Sequence, residues 1–91
     1  MEFEWDPRKD AANCRKHDVG FREATTVFSD TLATTFPDMD HSVSEARFLT
    51  IGASATGRLL VVAHTEHEGT IRIISARPVT RTERKFYEEA D

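Results

Sequence analysis

The sequence has a single cysteine, Cys14. An intrachain disulfide is therefore excluded, and the chain fits a reducing compartment in which Cys14 packs as an ordinary small buried residue. Long apolar runs are absent: the longest, Leu59 to Ala63, is far too short to span a membrane. The opening Met1-Glu2-Phe3-Glu4-Trp5-Asp6 is acidic and lacks the apolar stretch of a signal peptide. A soluble cytoplasmic protein with no membrane partner is the expectation. An excess of positive charge is absent too. The formal net charge is −4 over 91 residues, which argues against strong nonspecific binding to long nucleic acid. There is no internal repeat, low-complexity tract or linker, so residues 1–91 read as one domain. A P-loop, a dinucleotide fingerprint, an HExxH pair and a Gly-x-Ser-x-Gly elbow are all missing. No cofactor is expected, and the commonest metal and serine hydrolase sites lose support.

The charge that is present is unevenly placed. Acidic residues crowd the first half, including Asp30, Asp38, Asp40 and Glu45. From Arg58 to Arg81 the balance turns positive, with Arg58, Arg72, Arg77 and Arg81 against Glu66 and Glu68. A local basic site on an acidic protein is compatible with this pattern.

Local patterns predict the elements. Phe3-Glu4-Trp5 reads as a short strand. Asp6-Pro7 is a cap followed by the proline favoured in a first helical turn, and the helix runs to about His17. Lys16 and His17 suit its C-terminal dipole, and Asp18 ends it in the left-handed region. Phe21, Ala24, Val27 and Phe28 make an apolar stripe, which predicts a second helix over Phe21–Phe28. The period then changes to strands: Leu32–Phe36, a polar loop over Asp38–Ser44, Arg47–Gly52, Arg58–Thr65 and Thr70–Arg77. Short connections favour an antiparallel meander. Thr80-Arg81-Thr82-Glu83 is a capping box, so a last helix spans about Arg81 to Glu89. The order β-α-α-β-β-β-β-α predicts an α+β fold, with helices on one face of a curved antiparallel sheet.

Polar groups gather at the strand ends. Strict alternation puts Arg58, Leu60, Val62, His64 and Glu66 on one side of their strand. It puts Ile71, Ile73, Ser75 and Arg77 together on the next, with Arg72, Ile74 and Ala76 opposite. Cleaving RNA without a metal needs a base for the 2′-OH proton, an acid for the leaving oxygen and cations for the phosphorane. Arginines supply fixed charge and forked phosphate contacts. His64 or Glu66 suits the base, and Trp5 or Tyr87 suits stacking on a nucleobase. Each residue also has a structural reading. Arg72 can pair with Glu66 across strands, and Arg77 and Arg81 can pair with Glu83 or Glu88. His64 can be a satisfied strand histidine, and Trp5 a packing residue. His64-x-Glu66-His67 with His41 has the ligand types of a zinc site but not a recognised spacing. Ser75, His64 and Glu66 have the residue types of a hydrolase triad.

Several separated motifs go further. They are Phe3-Glu4-Trp5-Asp6, then Asn13-Cys14-Arg15-Lys16-His17-Asp18-Val19-Gly20-Phe21, then Glu23-Ala24. Arg47-Phe48 with Ile51-Gly52, Gly57 to Val62, Arg72 to Arg77, and Thr80-Arg81 with Arg84 and Tyr87 follow in order. Together they resemble the BrnT family of toxins, whose opening reads W-D, N-x-x-K-H-G-[VI]-x-F, E-A. One departure is Asp18, where the family usually has glycine. The resemblance implies a RelE-like fold, a single BrnT-like toxin domain, and metal-independent RNA cleavage that blocks translation. It implies neutralisation by a BrnA-type ribbon-helix-helix antitoxin, with DNA contacted only through that antitoxin. On the same resemblance Arg72 and Arg77 are phosphate or transition-state contacts, and Glu66 and His64 are acid/base candidates. Arg58 and Arg81 are supporting cations, and Trp5 is an RNA contact. A catalytically weak, partner-binding co-repressor is the alternative.

Overall fold

Asp6 and Pro7 start the first helix as their side chains dictate. Asp6 lies outside helical geometry and its Oδ1 accepts the Arg8 N–H at 2.8 Å, with Pro7 in the first turn. In this computed structural model, which describes residues 1–41 and 45–89, helix α1 covers Pro7–His17. Asp18 ends it with φ 58°, and its N–H bonds the Cys14 carbonyl at 2.9 Å. Gly20 precedes α2 (Phe21–Thr26) and has no side chain to cap it. Asp10 of α1 takes that role, accepting the Phe21 N–H at 2.9 Å. A 3-10 turn over Val27–Ser29 completes the segment expected as one helix.

The remaining elements are β1 (Glu2–Glu4), β2 (Thr34–Pro37), β3 (Phe48–Ala53), β4 (Leu59–His67), β5 (Thr70–Pro78) and α3 (Arg81–Glu89). The chain order is the expected one. Glu68 and Gly69 both have positive φ, 50° and 84°, which closes the β4–β5 hairpin in a two-residue turn. At α3 the capping box is complete: Thr80 Oγ1 accepts the Glu83 N–H, and Glu83 Oε1 accepts the Thr80 N–H at 2.8 Å. The loop expected over Asp38–Ser44 runs beyond the described residues at positions 42–44.

Among the described residues the strands form one sheet in the order β1-β5-β4-β3-β2. The pairs β2–β3, β3–β4 and β4–β5 are the antiparallel meander. Strand β1 pairs with β5 in parallel, through Phe3 and Ile71, so the sheet is mixed. The chain then leaves one edge at β1 and must reach the opposite edge at β2, which carries α1 and α2 across one face. There Val19, Phe21, Ala24 and Val27 pack on Leu60, Val62, Ile71, Ile73 and Ala76. Each buried Val, Leu, Ile or Phe among these contributes roughly 1.5–3 kcal/mol. Gly52 is needed in this layer, because a Cβ there would meet Ala33 Cβ and Val27 Cγ1 at 2.9 Å.

Two expectations change. All helices were expected on one face. Helices α1 and α2 are, but α3 lies against the other, where Phe86 meets Phe36 with ring centroids 5.9 Å apart. Phe36 alternates with Thr35, whose hydroxyl joins the buried Thr50 on the α1/α2 side, so Phe36 faces away from it. Cys14 was expected buried and is exposed. Its neighbour Asn13 occupies the inward position of α1 instead.

Candidate active site

An irregularity in β5 decides which arginines meet. Ala63 pairs with Ser75 but His64 pairs with Ile73, so Ile74 is an extra residue. Strict alternation would separate positions 72 and 77. With the bulge, Arg72 lies opposite Thr65 and Arg77 opposite Val61, four residues apart on a regular β4. Both arginines therefore share the face opposite α1 and α2. The span between them is roughly 13 Å at strand rise. Arginine side chains are long enough to converge on one phosphate across that span or to hold adjacent ones.

Both cations have carboxylate partners. Arg77 forks onto Glu83 with two bonds of 2.8 Å. That contact, with the Thr80 N–H, holds the Glu83 carboxyl down to about 2. Arg72 Nη1 donates to Glu4 Oε2 at 2.6 Å, across to β1. Between them the floor is small: Ala63 and Ser75 sit side by side. Beside Glu83 an open apolar groove of about 470 Å³ runs between α3 and the sheet, lined by Phe36, Ile51, Thr82, Glu83 and Phe86. Tyr87 donates its hydroxyl to Asp30 Oδ2 at 2.7 Å and ties α3 to the body.

The other expected residues lie elsewhere. His64 is 4% exposed, on the helix-covered face. Its Nε2 bonds the Thr50 hydroxyl at 2.8 Å, Phe48 stacks on its ring and Phe28 meets it edge-on. Burial lowers its pKa to about 4, so it is neutral at pH 7. Separated from Arg72 and Arg77 by the sheet, it is a core histidine rather than their acid/base partner. Ser75, on the opposite face, cannot join it in a triad. Glu66 is exposed at the end of β4 and pairs in register with Ile71, on the side away from Arg72. Of the partners open to Arg72, Glu4 takes the place of Glu66, because alternation turns Glu66 away. His64, Glu66, His67 and His41 do not gather. Among the described residues no three His, Cys, Asp or Glu side chains are placed to hold a metal.

Arg58 is a structural staple. It forks onto Glu23 at 2.6 and 3.1 Å and donates to the Asp18 carbonyl at 2.8 Å. Trp5 packs edge-on against Phe21, with centroids 6.3 Å apart. Arg81 is exposed at the start of α3. The sequence reading missed Glu4 and Glu83 as members of the site. The sequence allows the Arg77–Glu83 pair as a surface ion pair, and the capping box places Glu83 on the helix, but neither marks Glu83 as part of the site.

Residues 5–83 match the family described as ribonuclease toxin, BrnT, of type II toxin-antitoxin systems. The crystal structure of the Brucella abortus ribonuclease toxin BrnT has a similar fold, with a TM-score of 0.69 and 23% sequence identity. The similarity covers 89% of this chain and 99% of that one. No curated protein matches the sequence.

Proposed function

This chain belongs to the BrnT family of ribonuclease toxins of type II toxin–antitoxin systems, and we propose that it is a metal-independent, RelE-like endoribonuclease acting in the cytoplasm. Its substrate is RNA, its effect is a block of translation, and its partner is a BrnA-type ribbon-helix-helix antitoxin that also makes any DNA contact.

The observation that carries the reading is the bulge at Ile74, which sets Arg72 and Arg77 on one open face beside α3. Arg77 and Glu83 form the reacting end. A phosphate that takes the Arg77 fork leaves Glu83 without its counter-ion, and its carboxyl rises toward the ordinary range. There it can accept the 2′-OH proton while Arg77 stabilises the charge developing on the phosphate oxygens. The 2′-oxygen then forms the new bond to phosphorus, giving a 2′,3′-cyclic phosphate, and the 5′-oxygen of the next nucleotide leaves with a proton taken from solvent water. Arg72 holds a neighbouring phosphate, Arg81 adds a supporting cation, and a nucleobase seats in the groove against Phe86.

A second reading has its own support. Arg58, Arg72 and Arg77 all have carboxylate partners, which suits a catalytically weak subunit working through its antitoxin. Cleavage of RNA by antitoxin-free protein in EDTA separates the two. Cleavage that is lost in Arg72→Ala/Arg77→Ala supports the ribonuclease reading. Intact RNA with folded protein, with and without ribosomes, supports the binding subunit.

A further inference from the structure

The protein is acidic overall, yet the outer side of α1 carries only cations. Arg8, Lys9, Arg15 and Lys16 are all exposed. At helical spacing they occupy an arc of about 120° around Ala12, with two turns, about 10 Å, between the pairs. The acid in the first turn of α1, Asp10, is turned inward to cap α2 and leaves this surface unopposed. Arg8 leans on Asp6 at 3.4 Å. Among the described residues Lys9, Arg15 and Lys16 have no ion-pair partner, in contrast to the paired arginines Arg58, Arg72 and Arg77.

The helix dipole accounts for half of this pattern. Arg15 and Lys16 stand in the last turn, where cations stabilise α1. Lys9 stands in the first turn, where a cation opposes the dipole; Asp6 at the N-cap attracts it without forming an ion pair. Helix stability therefore accounts for Arg15 and Lys16 but gives no reason for Lys9.

The position of α1 supplies a reason. Strand β1 covers β5 only from Thr70 to Arg72, and among the described residues no strand pairs with that edge of β5 beyond this point. Asn13 fills the gap at Ala76: its Nδ2 donates to the Ala76 carbonyl at 2.7 Å, and its Oδ1 accepts the Ala76 N–H at 3.2 Å. Ala76 is the chain neighbour of Arg77. Helix α1 is thus held at the strand edge next to the proposed cleavage site. A strand of RNA leaving Arg77 over that edge meets the basic side of α1, where the small side chain of Ala12 permits close approach.

We propose that the outer face of α1 is a second RNA-contact surface, holding the sugar–phosphate backbone beyond the cleaved bond; this rests on the ribonuclease reading. The contact is electrostatic and carries no sequence preference. Its role is to raise affinity for long RNA without touching the chemistry.

The test uses the full chain and a labelled, fully 2′-O-methylated RNA 20-mer, which binds but cannot be cleaved. Binding is measured by anisotropy across salt concentrations for wild type and for Lys9→Gln/Arg15→Gln/Lys16→Gln. Glutamine keeps good helix propensity. A control, Leu32→Glu/Met39→Glu/Ala55→Glu, changes net charge equally at exposed positions away from α1. The expected result is binding about tenfold or more weaker at low salt for the α1 variant. Its salt slope is shallower by about 2, near 0.7 per cation removed. The control changes far less, and cleavage of an unmodified trinucleotide is unchanged in the α1 variant. Equal affinity in variant and wild type, or an equal loss in the control, overturns the proposal. Competition by polyglutamate as strong as by RNA also overturns it, in favour of an acidic protein partner. Loss of binding in the α1 variant with no cleavage by wild type removes the ribonuclease reading while leaving the surface intact. Normal cleavage with unaltered binding does the reverse.

Discussion

Arg77 meets Glu83 through two parallel bonds of 2.8 Å, so the central cation of the site is already neutralised before any phosphate arrives. Glu83 belongs to α3 and Arg77 to β5, and the same carboxylate caps the helix through Thr80. One side chain thus joins the cation, the helix start and the apolar groove.

Glu83→Gln separates these roles. Glutamine keeps the capping box but no longer neutralises Arg77 or accepts a proton. RNA should bind several-fold more tightly, while kcat falls about 100-fold. Steady-state kinetics on a short RNA reads both effects. An unchanged kcat would remove Glu83 from the chemistry and leave it as a cap.

Asn13→Ala strips both side-chain partners from a buried backbone edge. The Ala76 N–H and carbonyl then lose their bonds, and Asn13 itself is 7% exposed. Leaving such groups unsatisfied costs about 2–4 kcal/mol in total. Urea unfolding should show the loss as a lower midpoint with an unchanged slope. A drop under about 0.5 kcal/mol would mean that water replaces the amide.

His64 predicts acid sensitivity near neutrality. Its folded pKa is lowered to about 4 by burial, whereas the unfolded value is the ordinary 6.5. As pH falls through 6.5 the unfolded chain binds a proton that the folded chain refuses. Stability from this group is full above about 6.5 and is lost as pH falls toward 4. NMR titration of the His64 ring should show a neutral imidazole at pH 5.5. A midpoint near 6.5 would mean the ring is solvated.

Glu23 predicts a second, more acidic window. The Arg58 fork, with the Thr56 and Ser54 hydroxyls, holds its carboxyl at about 2 against an ordinary 4.5. The depressed value stabilises the fold above about 4.5, and that stability is lost as pH falls toward 2. The urea midpoint should therefore fall across this window, and less steeply in Glu23→Gln. Parallel profiles for the two proteins would show that the network is solvated at acid pH.

The elements were legible where their causes are local. The start of α1 rests on Asp6 and Pro7, its end on Asp18, and the start of α3 on Thr80 and Glu83, all within one turn of the backbone groups they serve. The β4–β5 hairpin was legible from Glu66 to Gly69 for the same reason. The site was less so. Arg72 and Arg77 were named, but alternation placed them on opposite faces, and Glu66 and His64 were paired with them by residue type. Nothing within a few residues of Ile74 announces a bulge, and nothing near Glu4 announces Arg72, which is 68 positions away.

By itself the sequence determined the order and kind of the elements, their caps, the apolar sets that form the core, and the family. These depend on side chains acting on their own backbone or on a period of two or 3.6 residues. Tertiary structure alone decided the parallel docking of β1, the face taken by α3, the shared face of Arg72 and Arg77, and the choice of Glu4 as the partner of Arg72. Those choices are settled by register between distant strands, where one inserted residue reverses every side chain beyond it.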